Sequence, residues 1–323
     1  MSTSRLETAL TQGLLAIPPG PITLMRPQAG YDLAGLPRDR LAVCHSFRPD
    51  CAHWEAMGLP VSQTPRPAVA AVVVVPRSKA LARGLIAQAC AIAPLVVVDG
   101  QRTDGIDSLW REVRAALGDL PGVTKAHGRL FWFAATGAFA DWAVPAPVQG
   151  PDGYFTQPGV FSEGGQDRGS LLLAQALPPK LPARLADLGA GWGYLSAAAL
   201  TRTGVQSVDL IEAEALALDC ARRNVTDPRA GFVWADATQH APATPYDGII
   251  MNPPFHAGRA ADPALGRAFI AAAARMLAPS GQLWMVANRH LPYEATLRET
   301  FRNVADAGGD GAFKVFHATR PLR

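Results

Sequence analysis

The chain is short of the residues that would mark several large protein classes. Only four of its 323 residues are cysteines (Cys44, Cys51, Cys90 and Cys220), and none stands in a CxxC pair. A chain of this length does not need a disulfide framework, and so few thiols fit a reducing compartment. No apolar run approaches the roughly 20 residues that a membrane helix requires. The apolar runs are short, such as residues 69–75 and 94–98, which have the length of buried strands. The N-terminal segment carries the acidic Glu7 and lacks a long apolar core, so it reads as an amphipathic helix and not as a secretory leader. Charge is sparse as well, at 18% of residues and a formal net charge of +3. Residues 1–150 carry 14 basic and 11 acidic side chains and the remainder 16 of each, so a cationic surface for a nucleic acid would have to be assembled by folding. The expectation is a soluble, cytoplasmic monomer with no membrane attachment.

What the chain does contain is regular alternation. In the first half, apolar runs at residues 22–25, 41–44, 70–75 and 95–98 read as strands, and residues 78–91 and 104–117 have helical spacing. Strands alternating with helices imply βαβ units around a parallel sheet. A Pro/Gly-rich stretch at 144–153 cannot continue a helix or a central strand. It places a domain boundary near residue 148, giving domains 1–148 and 149–323. The second half repeats the rhythm, with strands at 184–188, 207–212, 231–235, 246–251 and 282–287 and a terminal strand within 311–319. Helices are expected from Tyr194, over 213–224 and over 264–277. Two halves of like rhythm suggest a duplicated α/β fold, although no residue-level repeat is visible.

Chemistry concentrates in the second half. Asp187-Leu-Gly189-Ala-Gly191-Trp-Gly193-Tyr194 lies where a strand gives way to a helix. Glycines there permit a sharp turn and a close approach to a ligand. The dinucleotide fingerprint is GxGxxG, and Tyr194 occupies the place of its third glycine. That departure moves the reading from a nicotinamide cofactor to S-adenosylmethionine, with Asp187 orienting the loop or meeting the cofactor's amino group. Glu212 ends the next strand, close to the roughly 20-residue spacing of a ribose-binding acid. Asp236 follows the third strand and is a candidate for the adenine amine. Asn252-Pro253-Pro254-Phe255-His256 closes the fourth strand, at the sheet end where open α/β folds bind ligands. Asn252 offers a side-chain carbonyl and Pro253 a backbone carbonyl, two acceptors for the hydrogens of a planar exocyclic amine. Pro254 stiffens the turn, and Phe255 offers a face on which a flat base can stack.

Taken with Gly159-Val-Phe-Ser162, with Asp167, Gly169 and Ser170 before an apolar helix, and with Val286-Ala-Asn288, Leu291-Pro-Tyr293 and Phe313-Lys-Val315, this set resembles the class I S-adenosylmethionine-dependent methyltransferases. More narrowly, residues 150–323 resemble the bacterial guanine-N2 methyltransferases of ribosomal RNA, the small-subunit RsmC family. The resemblance implies two tandem Rossmann-like methyltransferase domains, the N-terminal one degenerate and the C-terminal one catalytic. It implies methyl transfer to the N2 amine of a guanine in 16S rRNA, with ribosomal RNA or the small ribosomal subunit as partner and no metal. Residues 1–148 contain neither DxGxGxG nor Asn-Pro-Pro, in keeping with a domain that supports folding or grips RNA.

Alternatives stay open at this level. The amine could belong to a guanine of the large subunit, to adenine N6 or to a protein glutamine. A non-enzymatic RNA-binding factor with a vestigial cofactor site is a further alternative, disfavoured by the intact Asp187, Gly189, Gly191, Glu212 and Asn252. Cys44-His45 and Cys51-Ala-His53 fit no standard zinc spacing. Arg77, Lys79 and Arg83 could form a phosphate-binding helix face, and His256 and Lys314 could approach the substrate; for each, a structural or solvated role is the plainer reading.

Overall fold

The computed structural model describes residues 4–33, 35–144, 147–254, 256–257, 260–261 and 263–322. The chain divides into two compact units, Met1–Ala146 and Pro147–Arg323.

The first unit opens with helix α1 (Arg5–Thr11), followed by β1 (Ile22–Met25), β2 (Leu41–Cys44), α2 (Arg48–Ala56), β3 (Val61–Ser62), β4 (Ala70–Val74), α3 (Lys79–Ile92), β5 (Leu95–Gln101), α4 (Ile106–Leu117), β6 (Gly122–Lys125) and β7 (Gly128–Ala134). The sheet order is β3-β2-β1-β4-β5-β7-β6. The first five strands run parallel, and β7 runs antiparallel to β5 and β6. The helix expected over 104–117 is split: Gly105, at φ +85°, ends a 3-10 turn and α4 begins one residue later. The helix α1 is tied to the sheet by Arg5, whose Nε donates to buried Asp99 at 2.6 Å, while the Tyr31 hydroxyl donates to the other Asp99 oxygen at 3.0 Å. Burying two charges carries a desolvation cost, which this ion pair and the added bonds from Tyr31 to Asp99 and from Arg5 to Lys125 O offset.

The second unit begins with the short ribbon β8 (Val148–Gln149) and β9 (Phe155–Thr156). There follow α5 (Arg168–Ala176), β10 (Arg184–Leu188), α6 (Tyr194–Leu200), β11 (Ser207–Glu212), α7 (Ala215–Asn224), β12 (Ala230–Trp234), β13 (Tyr246–Met251), a ribbon of β14 (His256–Ala257) and β15 (Ala260–Ala261), α8 (Pro263–Met276), β16 (Leu277–Asn288), α9 (Tyr293–Thr300), β17 (Phe301–Gly309) and β18 (Phe313–Pro321). The order is β12-β11-β10-β13-β16-β18-β17, with β18 antiparallel to its neighbours. Position for position this is the order of the first sheet, so the duplicated rhythm of the sequence corresponds to one topology used twice.

The central strands are apolar on both faces, as buried parallel strands must be. In β10, Leu185 packs with Leu173, Leu195, Leu218 and Trp284 on one side, while Ala186 and Leu188 pack with Ile270, Met276 and Leu283 on the other. Asp187 interrupts this pattern as a charged residue with no solvent exposure. The helix over 213–224 starts two residues later than expected, because the Glu214 side chain accepts from Leu216 N and caps it.

Candidate active site

The end of β10 turns through three glycines in the left-handed region: Gly189 at φ +71°, Gly191 at +55° and Gly193 at +92°. A Cβ on Gly193 would stand 2.8 Å from Val225, so the turn needs glycine there for space as well as for conformation. The loop's amides are largely committed within the protein. Gly189 N and Ala190 N donate to Ile211 O, Gly193 N donates to Ala190 O, and Gly191 N donates to Glu212 Oε2 at 2.8 Å. A pyrophosphate-binding loop must offer such N–H groups to its ligand. Here four of them are occupied, which disfavours a dinucleotide and suits a cofactor without a pyrophosphate.

Three acidic residues were selected from the sequence, and the structure places them differently. Asp187 lies beneath the loop. Its Oδ2 accepts from Ser196 Oγ at 2.7 Å, and Oδ1 is buried with no partner. Burial pushes this carboxyl up to about 7, against the lowering effect of Ser196. Glu212 grips the chain on both sides, accepting from Gly191 N through Oε2 and from Glu214 N through Oε1. Desolvation outweighs these donors and raises its pKa. Asp236 uses Oδ1 to hold a local turn, accepting from Thr238 N and Oγ1. A contact to an adenine amine would have to come from its other oxygen.

Asn252-Pro253-Pro254 leaves β13 beside the glycine loop. Pro253 is buried and Pro254 exposed. Asn252 Nδ2 donates to Asp167 Oδ2 at 2.8 Å and to Ser170 Oγ at 2.9 Å, and Oδ1 is buried without a partner. Phe255 lies outside the described residues, and the side chain of His256 is likewise not described. The loops border a cleft whose walls include Phe161, Asp167, Gly189, Gly191, Trp192 and Asn252. Asp187, Glu212 and Asp236 are not among its walls, although Glu212 is bonded to one of them, Gly191.

Several residues of this site were not singled out as site residues from the sequence. Phe161 is 60% exposed although it lines the cleft. Trp192 and Tyr194 form an aromatic group with Tyr154, with ring centroids 4.8–5.7 Å apart. Asn224 ties the loop to the preceding segment, donating to both Phe155 O and Trp192 O. Asp167, three residues before Ser170 and ahead of an apolar run, is a helix-start signal, and a cap is what the structure shows. Nothing in the spacing indicates that the same carboxylate reaches Asn252.

The weaker candidates are held in structural contacts. Lys314 bonds to Glu294 at 2.8 Å and pairs with Asp306. Lys79 and Arg83 both pair with Glu112. His45 is buried, its Nδ1 accepting from Phe47 N and its Nε2 lying 3.3 Å from Asp50. Among the described residues, no group of three or more His, Cys, Asp or Glu is placed to hold a metal ion.

Comparison with known proteins places this arrangement. The methyltransferase small domain family matches residues 153–317. A Shewanella halifaxensis protein named ribosomal RNA small subunit methyltransferase C is 30% identical over 260 residues, which is 76% of this chain and 75% of the relative. The chain belongs to the ribosomal RNA small subunit methyltransferase C family. Other RsmC relatives match over less: the Hahella chejuensis protein is 38% identical over 167 residues, 51% of this chain and 49% of its own length. The Shewanella piezotolerans protein is 34% identical over 180 residues, 54% of this chain and 52% of its own. The chain thus spans about half the length of these two relatives. The fold of the RsmC family is seen in the T. thermophilus 16S rRNA N2-guanine methyltransferase in complex with AdoMet and guanosine. That structure matches 97% of this chain and 91% of its own at a TM-score of 0.79 and 23% identity.

Proposed function

We propose that this chain transfers a methyl group from S-adenosylmethionine to the exocyclic N2 amine of a guanine in 16S rRNA. The observation that carries the reading is the buried, unpartnered carbonyl oxygen of Asn252 beside a cleft walled by the glycine loop. An isolated buried acceptor costs about 1–3 kcal/mol, and an amine N–H is the group that satisfies it. The relatives' shared name and the AdoMet and guanosine held by the T. thermophilus protein support the same substrates.

S-adenosylmethionine supplies a methyl group already activated on a sulfonium, so the protein's contribution is positioning and electrostatics. Gly189, Gly191 and Gly193 give the backbone its close approach. Glu212 accepts the ribose hydroxyls on lone pairs left over from Gly191 N and Glu214 N. Asp187, buried beneath the loop with Oδ1 unpartnered, orients the loop or meets the cofactor's cationic amino group, and Asp236 takes the adenine amine. Asn252 Oδ1 and the Pro253 carbonyl accept the two amine hydrogens and turn the nitrogen lone pair toward the methyl group. Pro254 holds the turn rigid, and Phe255 stacks on the base. Asn252 has no basicity, so the proton released after transfer passes to solvent.

Domains 1–148 and 149–323 divide the work: the second is catalytic, and the first is a degenerate copy that supports folding or grips RNA. Strand register supports this division. Met25 pairs with Cys44 and Val73 as Leu188 pairs with Ile211 and Met251. Arg26, His45 and Val74 therefore stand where the second unit has Gly189, Glu212 and Asn252. No loop glycine, ribose acid or amide carbonyl remains at those three places.

The reading is tested by incubating the protein with labelled S-adenosylmethionine and unmodified small and large ribosomal subunits, followed by nucleoside mass spectrometry. N2-methylguanosine in the small subunit is expected. Label in another nucleoside or in the large subunit would replace the substrate. No label in any RNA, with the cofactor bound, would overturn the assignment.

A further inference from the structure

We propose that Asp167 and Ser170 are positioning residues that lock the amide of Asn252 with its carbonyl oxygen toward the methyl-accepting group, making the site selective for a group that donates a hydrogen bond. The inference rests on the planar-amine reading of the cleft. Asn252 Nδ2 carries two hydrogens, and two acceptors meet it, Asp167 Oδ2 at 2.8 Å and Ser170 Oγ at 2.9 Å. Both donors are thereby spent. Turning the amide over would set its oxygen against a carboxylate oxygen, acceptor on acceptor. The network therefore admits one orientation, and in it Oδ1 is the buried atom left without a partner.

The lock is built on the start of α5. Asp167 is the N-cap of that helix, and its Oδ2 also accepts from Ser170 N at 2.8 Å. A carboxylate oxygen held by a helix amide cannot swing away from Asn252 without uncapping the helix. Gly169 leaves room for it: a Cβ there would stand 3.1 Å from Asp167 Oδ2 and 3.2 Å from the Phe313 ring. The cap motif in the sequence is thus also the part that aims the substrate-facing oxygen. A base presenting an amine at this point completes the network. A base presenting an oxygen there, as xanthine does in place of guanine's amine, meets an acceptor that cannot rotate.

The test uses the full chain. Asp167→Ser keeps an oxygen able to cap α5 but falls short of Asn252. Its turnover at saturating cofactor is expected to drop at least tenfold, with S-adenosylmethionine affinity by calorimetry within threefold of wild type. Asp167→Asn restores an acceptor oxygen and is expected to recover most of the rate. Ser170→Ala removes one acceptor while leaving the capping N–H, and covers the case in which Asp167→Ser does not fold. In an Asn252→Ala background, Asp167→Ser is expected to change turnover less than twofold, because its effect runs through Asn252.

A second readout does not depend on activity. The side-chain amide hydrogens of Asn252, identified in the NMR spectrum by their loss in Asn252→Ala, are expected to exchange slowly with solvent in the wild type and at least tenfold faster in Asp167→Ser. Wild-type turnover in both Asp167→Ser and Ser170→Ala, or a full additional loss in the Asn252→Ala background, would overturn the proposal. So would fast amide exchange in the wild type, whatever its activity. Slow exchange in a protein that methylates no guanine would instead sink the functional reading and keep the amide lock.

Discussion

The carboxyl of Asp187 carries a prediction in which stability and cofactor binding move in opposite directions. The group has no solvent exposure, its Oδ2 is held by Ser196, and burial lifts its pKa from 3.8 to about 7. In the unfolded chain it ionises near 3.8, so between about pH 4 and 7 the folded state holds a proton that the unfolded state has released. Folding stability then falls as pH rises through that window, by about 1.4 kcal/mol per unit and about 4 kcal/mol over its whole width. Asp187→Asn keeps the shape and a carbonyl for Ser196 but cannot ionise. The variant is expected to be the more stable protein above pH 7, with a lead over the wild type that grows from pH 4 to pH 7 and then levels off. Its affinity for S-adenosylmethionine is expected to fall at least tenfold at pH 8, where the wild type offers an anion to the cofactor's amino group and the variant does not. Urea unfolding at half-unit pH steps, paired with calorimetric titration of the cofactor, reads both effects. Parallel stability curves for the two proteins between pH 4 and 8 would refute the reasoning, since they would mean that Asp187 is ionised in the folded chain throughout.

Other positions give sharper single outcomes. Asn252→Ala is expected to lower turnover by about 10²–10³-fold, in the range of a lost transition-state hydrogen-bonding group, while leaving cofactor affinity within threefold. A single-turnover assay showing the wild-type rate would remove Asn252 from the mechanism. Gly193→Ala forces a side chain into φ +92° and to within 2.8 Å of Val225, and should cost about 1–3 kcal/mol in chemical denaturation. A change below a few tenths would show that the turn is not constrained as described. His45 is held near pKa 3 by burial, with the charge of Arg26 adding to the effect. Because the folded pKa is depressed, its contribution is intact above pH 6.5 and lost as pH falls toward 3. His45→Gln should therefore flatten the acid limb of the stability curve, and an unchanged limb would place a charged imidazole in the folded protein.

The strands that build the site were legible in the sequence because they are buried on both faces and therefore continuously apolar. Residues 184–188, 207–212 and 246–251 were read with the bounds that the structure gives to β10, β11 and β13. Antiparallel β6 left no comparable trace. Its exposure alternates without an apolar run to mark it, whereas β7 is apolar and buried over residues 130–133 and was passed over; their pairing depends on a turn at Ala126 and His127, both at positive φ without a glycine to signal it. The same limit applies within the site. A glycine run and an Asn-Pro-Pro turn announce themselves because their backbone requirements narrow the residue choice. The bond from Asn252 to Asp167 joins residues 85 positions apart, and each has a sufficient local explanation, one as a strand-end turn and the other as a helix cap. The internal use of the loop amides was equally hidden, since Glu212 was read as facing a ribose and not as also accepting from Gly191.

The two sheets share one strand order, yet the chemistry is confined to one of them, and the register shows how little of a fold its chemistry occupies. The sheet needs apolar side chains at the strand interiors, a requirement met equally by β4, with Ala70, Ala71, Val72 and Val73 buried, and by β13, with Ile249, Ile250 and Met251 buried. Chemistry needs particular residues only where the strands end. At those ends the first unit has Arg26, His45 and Val74, and Arg26 keeps the positive φ of its glycine counterpart, +56° against +71° for Gly189. The backbone path thus survives where the side-chain requirement has been dropped. His45, in place of an acid, is buried and neutral, held between Phe47 N and Asp50. Replacing Arg26, His45 and Val74 with glycine, glutamate and asparagine should keep the apolar cluster around Leu24, Val43 and Val72, to which none of the three belongs, but should destabilise the unit, because a buried glutamate at 45 stands beside the Asp50 carboxylate. It should also fail to create a cofactor site. Arg26 N would still be paired with Cys44 O, but the second and third glycines and the Asp167–Ser170 support for the amide have no counterparts in the three changes. Detectable S-adenosylmethionine binding by the triple variant in an Asp187→Asn, Asn252→Ala background would show that the loss of function in the first unit rests on those three positions alone.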